Sequence, residues 1–180
     1  MTEIDVRMIC MPINLPSSEL KSTEYCVILA PFGCLGIQTE LVEGSLMISK
    51  IDYRALGTPL IKPGNALAKE FAKQCQHYFK NAGFAFDMPL KPAGTEHQKK
   101  VWSAAQSIRV GETKTYGEIA RAIKSGPRAV GTACGANPHP LITPCHRVVS
   151  AQGLGGFMKE DSPGFYRQVK IWLLQHEGVI

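Results

Sequence analysis

The sequence predicts an α/β chain in two parts. A small antiparallel sheet with one helix occupies residues 1–91, and a mainly helical part containing a helix-turn-helix occupies residues 92–180. Three observations predict this. Residues 25–33 (YCVILAPFG) and 34–42 (CLGIQTELV) are β-rich apolar runs parted by Pro31 and Gly33. Residues 64–81 then switch to helical spacing. Beyond the Pro- and Gly-rich residues 86–96 (FDMPLKPAGTE), helix-start signatures recur.

In order along the chain, the two runs pair through a turn, and residues 45–52 (SLMISKID) supply a further strand. In residues 64–81, Leu67, Phe71, Cys75 and Tyr78 fall four, four and three apart, which gives a helix with one apolar face. Asn65 starts it, and it stops near Gly83. Thr95 with Gln98 forms a capping-box pattern that opens a helix through Val101, Trp102 and Ala105. Thr115 with Glu118 repeats the pattern and buries Ile119 and Ile123. Ser125 and Gly126 break that helix, and Pro127 suits the first turn of the next. A last helix begins near Pro163, carries Val169, Trp172 and Leu173, and ends at Gly178. No internal repeat or low-complexity tract is present.

Composition excludes some classes. Of 180 residues, 44% are apolar and 19% charged, so a core can form. No run approaches the roughly 18 apolar residues of a membrane span. The first residues carry acids and no basic segment before an apolar block, unlike a secretory signal. A cytoplasmic chain is expected, at the nucleoid if the source is bacterial. Its six cysteines, with no CxxC pair, are expected as reduced thiols. Nine basic and nine acidic residues balance over 1–91, whereas eleven basic face six acidic over 92–180. The whole excess of +5 lies in the second part, as suits a polyanionic partner; a scattered solvated surface is the alternative.

A base-reading helix presents Arg, Asn, Gln or Lys to the major groove. After Arg128, this chain offers Ala129, Gly131, Thr132, Ala133, Gly135 and Ala136. Such a slim helix suits close, nonspecific approach to a narrow groove, with Arg128 entering the base stack; packing against another helix is the alternative.

In residues 142–149 (ITPCHRVV), Cys145 reads three ways: a buried inert thiol, a metal ligand or a nucleophile. As nucleophile it needs a base, which His146 offers, with Glu177 to orient the imidazole. Pro144 holds the local backbone, and Val148 and Val149 wall a dry pocket. As ligands, Cys134, His139, Cys145 and His146 miss the usual zinc spacings.

The motifs PCHRVV, RAVGTACGANP, TYGEIA and WLLQHEG, spread over residues 95–178, resemble those of the O6-alkylguanine-DNA alkyltransferases, the methylated-DNA–protein-cysteine methyltransferases. Over the first half the resemblance is limited to sheet-plus-helix organisation and VILAPFGCLGI. It implies a ribonuclease H-like fold there, and an irreversible transfer of an alkyl group, typically methyl, from O6 of guanine (also O4 of thymine) to Cys145. One group is taken per molecule, from a base flipped through the minor groove. His146 would be the base through a water, Glu177 its orienting partner, and Asn137 the tie between helix and active-site turn. Tyr116 would rotate the target phosphate and protonate the departing guanine. Arg128 would fill the gap, flanked on the DNA side by Thr115, Gly117, Ala129, Thr132, Ala133 and Gly135.

The carbonyls of Cys145 and Val148 would accept from the guanine amine, Arg147 would pair between the two parts, and Phe157 would take the place of the pocket aromatic. Residues 155–166 (GGFMKEDSPGFY) are longer than the family pattern. Double-stranded DNA with O6-alkylguanine is the expected partner, of a monomer without cofactor. No zinc is expected, since Cys10, Cys26, Cys34 and His77 do not match the family's zinc spacing. Three rivals are a lesion sensor, disfavoured because Cys145 is present, a regulator, disfavoured by the Ala/Gly face, and a Cys-His hydrolase, which would turn over repeatedly.

Overall fold

The computed structural model describes residues 23–160 and 163–180. Strands β1 (Thr23–Ala30), β2 (Gly33–Val42) and β3 (Ser45–Arg54) form an antiparallel meander in that order. Pro31 and Phe32 make the first turn, pairing Ala30 with Gly33. There the backbone is left-handed (φ 139°), and a Cβ would lie 2.5 Å from the Arg54 carbonyl, so glycine is required. Glu43 (φ 49°) and Gly44 (φ 82°) make the second turn with both residues left-handed, the geometry that matches strand twist.

Helix α1 (Ala66–Lys80) lies on the sheet. The Asn65 side chain accepts from the Ala68 amide and so caps it. The expected stripe of Leu67, Phe71, Cys75 and Tyr78 is buried, against Leu35, Ile37, Ile48 and Tyr53 among others. The helix stops three residues before Gly83, because Asn81 adopts an extended conformation and its side chain accepts from the Gly83 amide.

After residue 95 the structure is mainly helical: α2 (Glu96–Gln106), α3 (Tyr116–Ala122), α4 (Pro127–Gly135) and α5 (Phe165–His176). Both capping boxes form, at Thr95/Gln98 and Thr115/Glu118, and Pro127 occupies the first turn of α4. Two-residue strands β4 (Lys114–Thr115) and β5 (Val148–Val149) pair in parallel and bring the start of α3 beside the segment after Cys145. No helix among the described residues is long and apolar enough to cross a membrane.

Two apolar clusters result. One joins the sheet and α1 to Leu141, Phe157, Val169 and Leu173. The other gathers Val101, Ile119, Val130, Cys145 and Val148 from α2, α3, α4 and the segment between α4 and α5. The 137–149 segment runs between them and is tied to β3, since the Ile51 amide donates to the Pro138 carbonyl at 2.8 Å and the His139 ring nitrogen Nε2 lies 3.0 Å from the Ile48 carbonyl.

Candidate active site

Asn137 is buried and shapes the segment. Its Oδ1 accepts from the His139 amide at 2.9 Å, and its Nδ2 donates to the Thr143 carbonyl at 2.9 Å and to Cys145 Sγ at 3.3 Å. The same amide thus closes the turn and touches the sulfur. Pro144 leads into a 3-10 turn, Cys145–Arg147. Cys145, only 4% exposed, borders a cleft of about 460 Å³ with Tyr116, Arg128, Gly131, Cys134 and Phe157.

His146, on the 3-10 turn, and Glu177, at the end of α5, are both buried. His146 Nε2 lies 2.9 Å from Glu177 Oε1. A carboxylate only accepts, so Nε2 carries the proton and Nδ1 keeps its lone pair. Nδ1 is buried without a hydrogen-bond partner among the described residues, as is Tyr53 Oη. Arg147 grips the same carboxylate with two nitrogens, Nε to Oε2 at 2.8 Å and Nη2 to Oε1 at 2.9 Å, and donates from Nη1 to the Ile108 carbonyl at 2.7 Å. Tyr78 Oη, from α1, adds a further donor to Oε1 at 2.8 Å.

The electrostatics follow from this packing. Burial pushes Glu177 upward, but hydrogen bonds from His146 and Arg147, with the Arg147 charge, outweigh it and hold the carboxyl at about 2. Burial lowers His146, which Glu177 only partly offsets, so the imidazole is neutral. The hydrogen bond shared with Cys134, and then burial, hold Cys145 well above the usual thiol range, while Asn137 and Lys170 pull it down. At rest the sulfur is therefore a thiol and the His146 imidazole a neutral base.

Other expected residues fall around this core. Tyr116 Oη donates to the Gly156 carbonyl at 3.0 Å. Arg128, Ala129 and Thr132 are exposed on α4 and, with His97 of α2, border a shallower groove. Ala133 borders the same groove although it is only 2% exposed, and its carbonyl accepts from Trp102 Nε1 at 2.8 Å. Thr115 spends its hydroxyl on capping α3, and Gly117 follows at the helix start; neither borders the cleft. Pro144, Val148 and Val149 do not border it either. Pro144 and Val148 are buried, and Val149 pairs with Thr115. The Cys145 carbonyl already accepts from the Val148 amide, and the Val148 carbonyl from Lys170 Nζ at 2.7 Å.

Phe157 forms part of the cleft wall and stands 5.7 Å, centroid to centroid, from Tyr53. Phe157 and Glu160 exchange backbone hydrogen bonds across Met158 (φ 52°) and Lys159 (φ 69°), a left-handed turn made without glycine. That turn lies against α4, where a Cβ on Gly135 would come within 2.8 Å of Lys159. Two neighbours of the site escaped the sequence reading, Tyr78 and Lys170, and Cys134, weighed there only as a zinc ligand, borders the cleft beside Cys145. Lys170 is fully buried on α5 and donates to the Val148, Leu154 and Gly156 carbonyls. A lysine on the apolar stripe of residues 169, 170, 173 and 174 was the available signal. Among the described residues no three His, Cys, Asp or Glu side chains group as a metal site; Cys10 lies outside them.

Residues 96–179 match the family model for the DNA-binding domain of 6-O-methylguanine DNA methyltransferase. The chain is 48% identical over 113 residues to the methylated-DNA–protein-cysteine methyltransferase of Methanosarcina acetivorans, covering 61% of this chain and 69% of that one. It is 35% identical over 154 residues to the probable methylated-DNA–protein-cysteine methyltransferase of Acanthamoeba polyphaga mimivirus, covering 78% of this chain and 97% of that one. Among solved structures, Mycobacterium tuberculosis OGT in complex with DNA superposes with a TM-score of 0.63 at 36% identity, over 85% of this chain and 91% of that one.

Proposed function

Since the chain belongs to the methylated-DNA–protein-cysteine methyltransferase family, we propose that it repairs alkylated DNA by taking a methyl group from O6 of guanine, or O4 of thymine, onto Cys145. The carrying observation is one cleft shared by Cys145, Arg128 and Tyr116, with the residue after the cysteine, His146, held by Glu177. In the reaction, the Cys145 proton passes through a water to His146 Nδ1, and Glu177 steadies the resulting imidazolium. The sulfur attacks the methyl carbon, the carbon–O6 bond breaks with its electron pair on oxygen, and the guanine regains a proton from the Tyr116 hydroxyl on the cleft wall, which exchanges its bond to the Gly156 carbonyl for the base. The thioether has no leaving group to give back, so each chain reacts once.

The slim exposed side of α4 supports a helix-turn-helix made by α3 and α4 that lies in the minor groove without reading bases. Arg128 holds the space of the flipped nucleotide. Extrusion costs a few kcal/mol, less where the lesion already weakens pairing. Residues 1–91, with a ribonuclease H-like arrangement, brace residues 92–180, which carry the reaction. The chain works as a monomer on double-stranded DNA, in the cytoplasm or at a nucleoid. Intact-mass spectrometry after incubation with O6-methylguanine DNA tests the reading. One added methyl group per chain is expected, none in Cys145→Ala; several turnovers per chain, or an unmodified Cys145, would refute it.

A further inference from the structure

We propose that Tyr78 is a positioning residue for the methyl transfer: its hydroxyl, on the last turn of α1, governs how strongly Glu177 holds His146. The inference rests on the function proposed above. Oε1 of Glu177 accepts from three donors at once: His146 Nε2 at 2.9 Å, Arg147 Nη2 at 2.9 Å and Tyr78 Oη at 2.8 Å. Tyr78 is separated from Glu177 by 99 positions, is 2% exposed, and reaches the end of α5 twice. Besides the hydroxyl contact, its carbonyl lies 2.7 Å from His176 Nε2, and the His176 ring stands 5.1 Å from the Tyr78 ring.

A structural anchor for a buried phenol needs only an acceptor. This acceptor is the oxygen that His146 also uses. Each donor on Oε1 draws off part of its negative charge, so the Tyr78 hydroxyl reduces the hold of Glu177 on an imidazolium. Without that donor, His146 would keep a proton to higher pH, and a protonated His146 cannot accept the Cys145 proton. Burial, and then the nearby carboxylate, keep Tyr78 protonated and hence a donor. The other charged and titratable groups facing this pair are Arg147 of the 3-10 turn, Lys170 and His176 of α5 and Tyr53 of β3. All stay unchanged in the test.

The test uses the full chain and follows single-turnover methyl transfer from O6-methylguanine duplex DNA against pH. For Tyr78→Phe the ascending limb should move to higher pH by on the order of half a unit, or roughly threefold slower transfer on the acid side, with the plateau kept. A ring-fluorinated tyrosine at position 78, a stronger donor of nearly the same shape, should move the limb to lower pH. If the limb stays at the wild-type pH in both and only thermal stability changes, or if both shift the same way, Tyr78 is merely structural and the inference fails. Should Tyr78→Phe not fold, the fluorinated chain alone decides by the direction of its shift. Wild-type chain that takes no methyl group refutes the proposed function itself, a result distinct from wild-type transfer with an unmoved limb.

Discussion

At the scale of single residues, Asn137 links architecture to chemistry. Its acceptor oxygen holds the His139 amide, and its donor nitrogen holds both the Thr143 carbonyl and the Cys145 sulfur. Asn137→Asp keeps the shape and the acceptor but turns the donor into an oxygen. That oxygen faces a carbonyl and a sulfur that must become negative in the reaction. Stability should fall by about 2 kcal/mol, since a buried carbonyl loses its partner. Methyl transfer should slow by on the order of tenfold or more, because a donor to the developing thiolate is replaced by a like charge. Thermal unfolding and single-turnover transfer, measured side by side, separate the two effects. Transfer at the wild-type rate in the folded Asn137→Asp chain would remove Asn137 from the reaction.

At the scale of elements, how much was legible depended on distance along the chain. The boxes at Thr95/Gln98 and Thr115/Glu118 and the Asn65 cap each need residues three positions apart, and all three formed where the sequence placed them. The apolar face of α1 was legible for the same reason: helical periodicity is local. At Ala133 the pattern left two readings open, because small side chains suit a DNA face and a helix contact equally; the residue is 2% exposed and still borders the groove with Arg128 and Thr132. Tyr78 and Lys170 were missed because their partners lie on other elements, and a tyrosine or lysine on an apolar stripe names no partner. The exposed side of α4 carries the prediction at this scale. Arg128 stands at the mouth of the cleft on a helix whose neighbouring side chains are too short to substitute for it. Arg128→Ala should therefore slow repair in duplex DNA much more than reaction with free O6-benzylguanine, because only the duplex requires a base to be held out. Equal losses on both substrates would count against a flipping role.

At the scale of the whole molecule, one carboxylate joins the sheet-side helix to the reaction site: Glu177 ends α5, takes Tyr78 from α1, and through Arg147 reaches the Ile108 carbonyl beyond α2. Stability should thus depend on pH in two steps. His146 and His139 are both lowered by burial, so the unfolded chain binds their protons first as pH falls, and stability present above about pH 6.5 declines below it. Glu177 is held at about 2 against an ordinary 4.5, so its contribution is complete above 4.5 and is lost as pH falls toward 2. That second contribution is roughly 3 kcal/mol. Thermal midpoints measured from neutral pH downward should stay level, decline below about pH 6.5, and fall more steeply below about 4.5. Glu177→Gln should start lower, because Arg147 is left as a largely buried charge without its counterion. It should nevertheless lack the steeper fall, since the group that titrates there is gone. A Glu177→Gln chain with an unchanged acid limb would mean that other carboxylates set the acid stability, and that Glu177 does not carry the link between the two parts of the fold.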